Sequence, residues 1–302
     1  DGPVPGVCIE DWPALRIRGV HLDLKGCMPT TDYLRMTFAE LARYKINTVL
    51  LEYEDKFPFT GRPEIRSTEA LMPEELRDLL SLARECHIQV IPLVQSLGHV
   101  EYILRHERYA HLREDGAIDQ YCPLNPGSLA LFREMLDEVL AYHQDAAYVH
   151  IGADEARRLG SCPACREKAR REGKAALYLD YLNECLRHVQ SLGKKPIIWD
   201  DMVWNESAPE IMDRVQPGAV ACDWFYNVTT DEVPFVFWQG GHLSSRRWLE
   251  LDPTKISPWK FGRFLEDLPP EEAEVMRPYW DRGHYPLWCD ALPLLGFLRD
   301  RG

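Results

Sequence analysis

Short apolar, β-prone runs alternate with amphipathic helical stretches along most of this chain, and that rhythm constrains its fold more than any other feature. Gly19 to Leu24 reads as a strand and Thr31 to Lys45 as a helix, with Thr30 or Thr31 as its cap and Leu34, Phe38, Leu41 and Ala42 as its apolar stripe. Asn47 to Tyr53 is a second strand. Pro73 opens a helix at a position proline tolerates, with Leu76, Leu79, Leu80 and Ala83 on one face. Ile88 to Val94 is a third strand, Ser128 to His143 a helix, and Ala147 to Gly152 a fourth strand. One long helical stretch is expected from Pro163 to Leu192, stopped by Gly193. Lys195 to Asp200 and Ala219 to Phe225 are the fifth and sixth strands. Strands separated by helices of this length form parallel β/α units.

Two features choose between an open sheet and a barrel. No glycine-rich phosphate-binding turn follows the first strand, so a dinucleotide fold lacks its key element. Polar and aromatic residues collect instead at the carboxyl end of every strand: Asp23 and Lys25, Glu54 and Asp55, Gln95 and His99, Asp154 and Glu155, Trp199 and Asp201, then Asp223, Trp224 and Tyr226. A TIM-type (β/α)8 barrel builds its active site on that rim. The expected fold is α/β, a (β/α)8 barrel with about six βα units recognisable. Beyond Tyr226 only weak helical stretches near Glu271 to Asp281 and Asp290 to Asp300 are read. Either Pro234 to Gln239 hides a strand or the last two units are absent. The second is favoured, because a helix running into the terminal Gly302 is where a βα repeat would continue. Residues 1–15 are expected to be the tail of a preceding small domain or a linker, and 16–302 the catalytic barrel.

Bulk properties narrow the function. At 302 residues and 45% hydrophobic, the chain can build a sizeable core. No apolar run approaches the roughly 20 residues that span a bilayer. A net charge of −13 disfavours nucleic acid and anionic membranes, which need basic surface, and suits a neutral or cationic small substrate. The start at Asp1, with no signal-peptide pattern, points to processing or trimming. Nine scattered cysteines, an odd number, fit a reducing compartment, so a cytoplasmic location is expected. Cys162-Pro-Ala-Cys165 has metal-like spacing, but no second Cys/His pair at matching spacing follows nearby. A simple helix-start loop is the preferred reading there. No metal and no cofactor are expected.

The chemistry concentrates in His150-Ile151-Gly152-Ala153-Asp154-Glu155. The preceding run 146–149 is apolar, so this hexapeptide closes a buried strand on which His150, Gly152 and Asp154 share a face. Where the strand exits into a loop, both carboxylates can turn toward one cavity. Adjacent acids repel each other's ionisation, so one tends to keep its proton, as general acid catalysis requires. The competing reading is an Asp-Glu pair opening a surface helix, where acids favour the dipole. The buried strand, the intervening glycine and the in-phase histidine favour a site.

These segments resemble glycoside hydrolase family 20, the β-N-acetylhexosaminidases, with hexosaminidase D-type and bacterial members most similar. The resemblance rests on Val20 to Gly26, Glu52-Tyr53-Glu54-Asp55 with Phe57-Pro58, Ile91 to Gln95, Gly98-His99, Ala110 to Glu114, Leu124-Asn125-Pro126, His150 to Glu155 and Trp199 to Met202. It implies a retaining exo-hydrolase that removes terminal β-linked N-acetylglucosamine or N-acetylgalactosamine, with the substrate's own acetamido oxygen as nucleophile and an oxazolinium intermediate. On that basis Glu155 is the general acid and then the base, and Asp154 holds the acetamido N–H. His99, with Asp55 or Glu54 as an acid from the second strand, supports the catalytic Glu. Trp199 and Trp224 wall the pocket. Tyr226 could donate to the acetamido oxygen, although the family usually supplies that tyrosine from a later strand. Asp23 and Lys25 share a strand face and either bind ring hydroxyls or form an ion pair at the barrel bottom. Glu54, Gln95 and Asp223 complete the expected sugar rim, His150 is a packed support, and His21 belongs to the core. The implied partner is an N-acetylhexosamine-containing glycan or glycoconjugate, with a homodimer left open. Further substrate-binding residues that the family places on its seventh and eighth strands are not found. A truncated or vestigial barrel that binds amino sugars without turnover is therefore the alternative.

Overall fold

A computed structural model describes residues 6, 8, 10–205 and 213–224, and the backbone of 235–238 and 241–244. The elements follow in chain order as β1 (Gly19–Asp23), α1 (Thr31–Arg43), β2 (Thr48–Glu52), α2 (Pro73–Glu85) and β3 (Gln89–Leu93). An excursion then carries α3 (Glu101–Leu104), β4 (Arg113–Glu114) and β5 (Ala117–Tyr121) before α4 (Pro126–Tyr142). The chain continues through β6 (Tyr148–His150), α5 (Pro163–Glu172), α6 (Lys174–Ser191), β7 (Lys195–Trp199), α7 (Asp201–Asn205) and β8 (Val220–Cys222). A hairpin of β9 (Phe235–Trp238) and β10 (Gly241–Ser244) follows.

Six strands form one parallel sheet in the order β1-β2-β3-β6-β7-β8, which is chain order for the strands concerned. This is the sequential order of a (β/α) barrel wall, curled over six strands. Its register aligns Asp23, Glu52, Leu93, His150, Ile197 and Val220 across the sheet. Partners in a parallel register point the same way, so this row shares the inner face. The alternate residues Val49, Leu51, Val90, Val149 and Ile198 are buried in the core with helix residues such as Leu34, Phe38, Leu76, Phe132, Leu136 and Leu182. Burying one such side chain contributes about 1.5–3 kcal/mol.

Local chemistry sets the helix starts. The Thr30 hydroxyl accepts from Tyr33 N at 3.2 Å and caps α1, and Asn125 Oδ1 accepts from Gly127 N at 2.9 Å to cap α4. The expected helix over 163–192 is two helices. Gly173, with φ 88° and ψ 154°, sits in a region essentially reserved for glycine and ends α5 before α6 begins. Pro234 to Gln239 does hold a strand, but β9 pairs antiparallel with β10 in its own two-stranded sheet and does not extend the barrel wall. Tyr226 and the helical stretches expected at 271–281 and 290–300 lie outside the described residues. Among the described residues no helix is long and apolar enough to cross a membrane.

Candidate active site

The carboxyl ends of the strands open into a hollow of about 260 Å³ lined by His21, Asp23, Lys25, Glu52, Gln95, His99, Asp154, Glu155, Trp199 and Trp224. That is just under the roughly 300–1,000 Å³ of ordinary ligand clefts, a size for one small ring. A larger hollow of about 520 Å³ lies at the amino ends of the strands, where Arg16, Thr48, Gln89, Tyr148 and Lys195 are among its lining. It has no carboxylate in that lining, and barrel enzymes work at the other end.

β6 stops at His150, and backbone torsions then deliver the carboxylates. Gly152, Ala153 and Glu155 have φ of 62°, 71° and 45°, so the loop doubles back and turns Asp154 and Glu155 toward the same hollow. Such left-handed torsions cost of order 1–3 kcal/mol at a non-glycine residue, and the packing around them must hold them in place. Gly152 is also required for space: a Cβ there would lie 1.8 Å from Gln95 Oε1. His99 arrives on a similar bend, φ 55°, just after Gly98, whose Cβ would lie 2.6 Å from the backbone oxygen of Asp154. The Gly-His and Gly-Ala-Asp-Glu segments thus press together backbone to backbone.

His99 Nε2 stands 3.3 Å from Asp154 Oδ2 and 3.3 Å from Glu155 Oε2. The hydrogen bond to Asp154, reinforced by that residue's charge and opposed by burial, raises the imidazole pKa to about 9. A cation therefore sits between the two acids at neutral pH and offsets their mutual repulsion. Among the described residues Asp154 Oδ1 is buried with no hydrogen-bond partner. Glu155 is held further by Arg157 Nη2 at 2.5 Å, and its backbone N–H donates to Asp201 Oδ2 at 2.9 Å. Burial lifts Asp201 to about 6, and burial with the charges of Asp223 and Asp201 lifts Asp200 to about 7.

The opposite wall is a second charged network. Glu52 Oε1 accepts from Gln95 Nε2 at 2.8 Å, and His21 Nε2 lies 3.1 Å from Glu52 Oε2. Burial works against ionising Glu52, but these hydrogen bonds outweigh it and lower its pKa. Lys25 Nζ lies 3.0 Å from Glu54 and 3.6 Å from Glu101. Burial, with the charges of Glu52 and Asp23, raises Glu54 to about 7 against the pull of Lys25. Trp199 closes the floor, its ring 4.3 Å from that of His150 and 5.8 Å from that of His21. His150 is neutral, its pKa pushed down to about 3 by burial, and its Nδ1 accepts from Gly152 N at 3.0 Å.

The structure brings together Asp23, Lys25, Gln95, His99, Asp154, Glu155, Trp199 and Trp224 of the residues expected from sequence. His150 stands behind Trp199, Glu54 reaches the site through Lys25, and Asp223 lies beside Asp200. Asp55 is directed elsewhere: its carboxylate pairs with Lys56 at 2.9 Å and Arg105 at 3.0 Å, because the chain turns into a 3-10 helix at Glu54 and rotates Asp55 out of the hollow. Asp23 and Lys25 line the carboxyl end of the sheet, not its bottom, and His21 is half exposed on the inner face instead of in the core. Sequence reading missed Glu52 as a lining residue. The signal was present, since Glu52 is in register with Asp23 and His150 on the inner row.

A model of glycosyl hydrolase family 20, catalytic domain, matches residues 16–240. The chain belongs to glycosyl hydrolase family 20. Human hexosaminidase D is 39% identical over 201 residues, a match covering 62% of this chain and 40% of that protein. Its bovine counterpart is 38% identical over 195 residues, covering 62% and 56%. The chain therefore spans about half the length of these family 20 relatives. In three dimensions the Flavobacterium johnsoniae chitobiase superposes with a TM-score of 0.60 at 20% identity, over 72% of this chain and 39% of that one, which supports the shared fold.

Proposed function

We propose that this family 20 chain carries the active site of a retaining exo-β-N-acetylhexosaminidase acting on terminal β-linked N-acetylglucosamine or N-acetylgalactosamine. The observation that carries the proposal is His99 bridging two adjacent carboxylates at 3.3 Å each, inside a hollow sized for one sugar ring. The human and bovine relatives, both hexosaminidase D, agree with that substrate class.

In this reading Glu155 protonates the glycosidic oxygen as the bond to the anomeric carbon breaks. The acetamido oxygen attacks that carbon from the opposite face and closes an oxazolinium ring. The acetamido N–H donates to Asp154 Oδ1, a buried oxygen without a partner among the described residues, and the carboxylate offsets the positive charge that builds on the ring. Glu155, now deprotonated, takes a proton from water. The water oxygen bonds to the anomeric carbon, the oxazolinium opens, and the two inversions leave the configuration unchanged. No enzyme carboxylate has to reach the anomeric carbon, so two acids adjacent in sequence can share this work. His99 fixes the spacing of the pair, and Trp199 and Trp224 offer faces for the sugar, each worth about 0.5–1.5 kcal/mol beyond area burial. Asp23 and Lys25 supply hydroxyl contacts at the rim.

Replacing Glu155 with Gln keeps the shape and removes the proton donor. Hydrolysis of an N-acetyl-β-glucosaminide or galactosaminide with a poor leaving group should fall roughly 10²- to 10⁴-fold. Wild-type turnover in that variant would reject the role of Glu155, and binding of N-acetylglucosamine with no turnover in the full-length wild type would favour the non-catalytic reading.

A further inference from the structure

Outside the sugar hollow, the fold gathers a second chemical cluster that the sequence disperses. Glu114, Cys122, Cys162 and Cys165 place a carboxylate oxygen and three sulfurs within 4.8 Å of one another. Cys122 Sγ is 3.9 Å from Cys162 Sγ and 3.6 Å from Cys165 Sγ. A disulfide needs about 2.05 Å. Two thiolates on one tetrahedral zinc, each at about 2.3 Å, stand about 3.8 Å apart, which these separations bracket.

The carboxylate adds an independent observation. Glu114 is 0% exposed, Oε1 accepts from Cys162 N at 2.8 Å, and Oε2 is buried with no partner. A buried carboxylate oxygen that meets no cation is costly to keep out of water. Nothing in the protein supplies that cation to Oε2 among the described residues. Cys162 caps α5 and Cys165 lies in its first turn, where Cys165 N donates to Cys162 Sγ at 3.4 Å, so the helix start holds the two sulfurs side by side.

We propose that Glu114, Cys122, Cys162 and Cys165 bind one zinc-type divalent cation in a closed, structural site. Three sulfurs and one carboxylate oxygen fill a tetrahedron, leaving no open position for chemistry. The sequence favours a helix-start loop over a metal site at Cys162-Pro-Ala-Cys165, because no second pair with matching spacing lies close by. The remaining ligands come from the β4–β5 excursion, with Cys122 40 residues before Cys162. That placement gives the ion a mechanical role. The excursion carries Gly98 and His99 at its start, and Gly98 bridges to Gln120 in β5. The loop from Gly152 to Cys162 carries Asp154 and Glu155, and Arg158 N donates to Gln120 Oε1 at 2.8 Å. The metal clamps the far ends of the two segments whose near ends hold the His99 bridge.

The test is metal analysis of the full-length protein, purified reduced and without chelator. The expected result is about one zinc per chain, with Cys122, Cys162 and Cys165 protected from alkylation until zinc is stripped, as read by mass spectrometry. Cobalt substitution should give thiolate charge-transfer bands that are lost in Cys165→Ser and weakened in Glu114→Gln. The alkylation readout uses wild type alone, so a variant that fails to fold does not blunt the test. Substoichiometric zinc with no uptake by the reduced protein would overturn the proposal, as would a mass two hydrogens lower from a disulfide among these cysteines. None of these readouts involves glycoside turnover, so the site stands or falls independently of the proposed hydrolase activity.

Discussion

At the scale of single residues, the site depends on one imidazole charge. His99 is raised from the ordinary 6.5 to about 9, so its folded form binds a proton more tightly than the unfolded chain does. The stability it contributes is fully present below about pH 6.5 and is lost as pH rises through about 9. Above that the two acids lose the cation that bridges them, and Arg157 remains only on the Glu155 side. Thermal unfolding followed from pH 6 to 10 should show the wild type losing stability over this window relative to His99→Gln, which lacks the titration; parallel pH profiles would contradict the assignment. Asp154, Glu155 and His99 were legible from their motifs because each follows a tight backbone bend that needs glycine beside it. Glu52 was not, because it ends the strand itself, where alternation alone does not tell an inward side chain from an outward one. Asp55 was misplaced for the complementary reason: one turn of 3-10 helix reverses the direction a strand pattern assigns.

At the scale of elements, the strands and helices of the first 200 residues follow from periodicity, since each apolar stripe has one face of the sheet to cover. Leu76, Leu79, Leu80 and Ala83 are all buried along α2, as their spacing requires. Periodicity does not report a break flanked by good helix formers. Arg171, Glu172 and Lys174 all favour helix, and only the torsion of Gly173 separates α5 from α6. A Cβ at Gly173 meets no atom within 4 Å, so an alanine there tests conformation alone. Gly173→Ala should destabilise the protein by about 1–3 kcal/mol in urea titration. An unchanged midpoint would mean the junction adopts another backbone path at no cost. The β4–β5 hairpin had no distinct signal either, because β4 is only Arg113-Glu114 and β5, Ala117-Ile118-Asp119-Gln120-Tyr121, carries no apolar run.

At the scale of the molecule, six parallel strands in chain order place polar residues from many turns at one end of the sheet. The barrel character was readable from the repetition of acids and aromatics after successive strands, a pattern no single strand could establish. What sequence could not provide was distance: which acid meets which base depends on how the β3–α4 excursion folds back over β6, a contact between segments some 50 residues apart in the chain. The proposed mechanism rests on Asp154 acting on the substrate's amide, and the direct measurement is kcat/KM of Asp154→Asn on a chromogenic N-acetyl-β-glucosaminide and on the matching β-glucoside. Loss of a charge-assisted hydrogen bond of about 1.5–3 kcal/mol predicts a drop of at least roughly 10- to 150-fold on the acetamido substrate, with any residual glucoside activity nearly untouched. Equal losses on both substrates would contradict it.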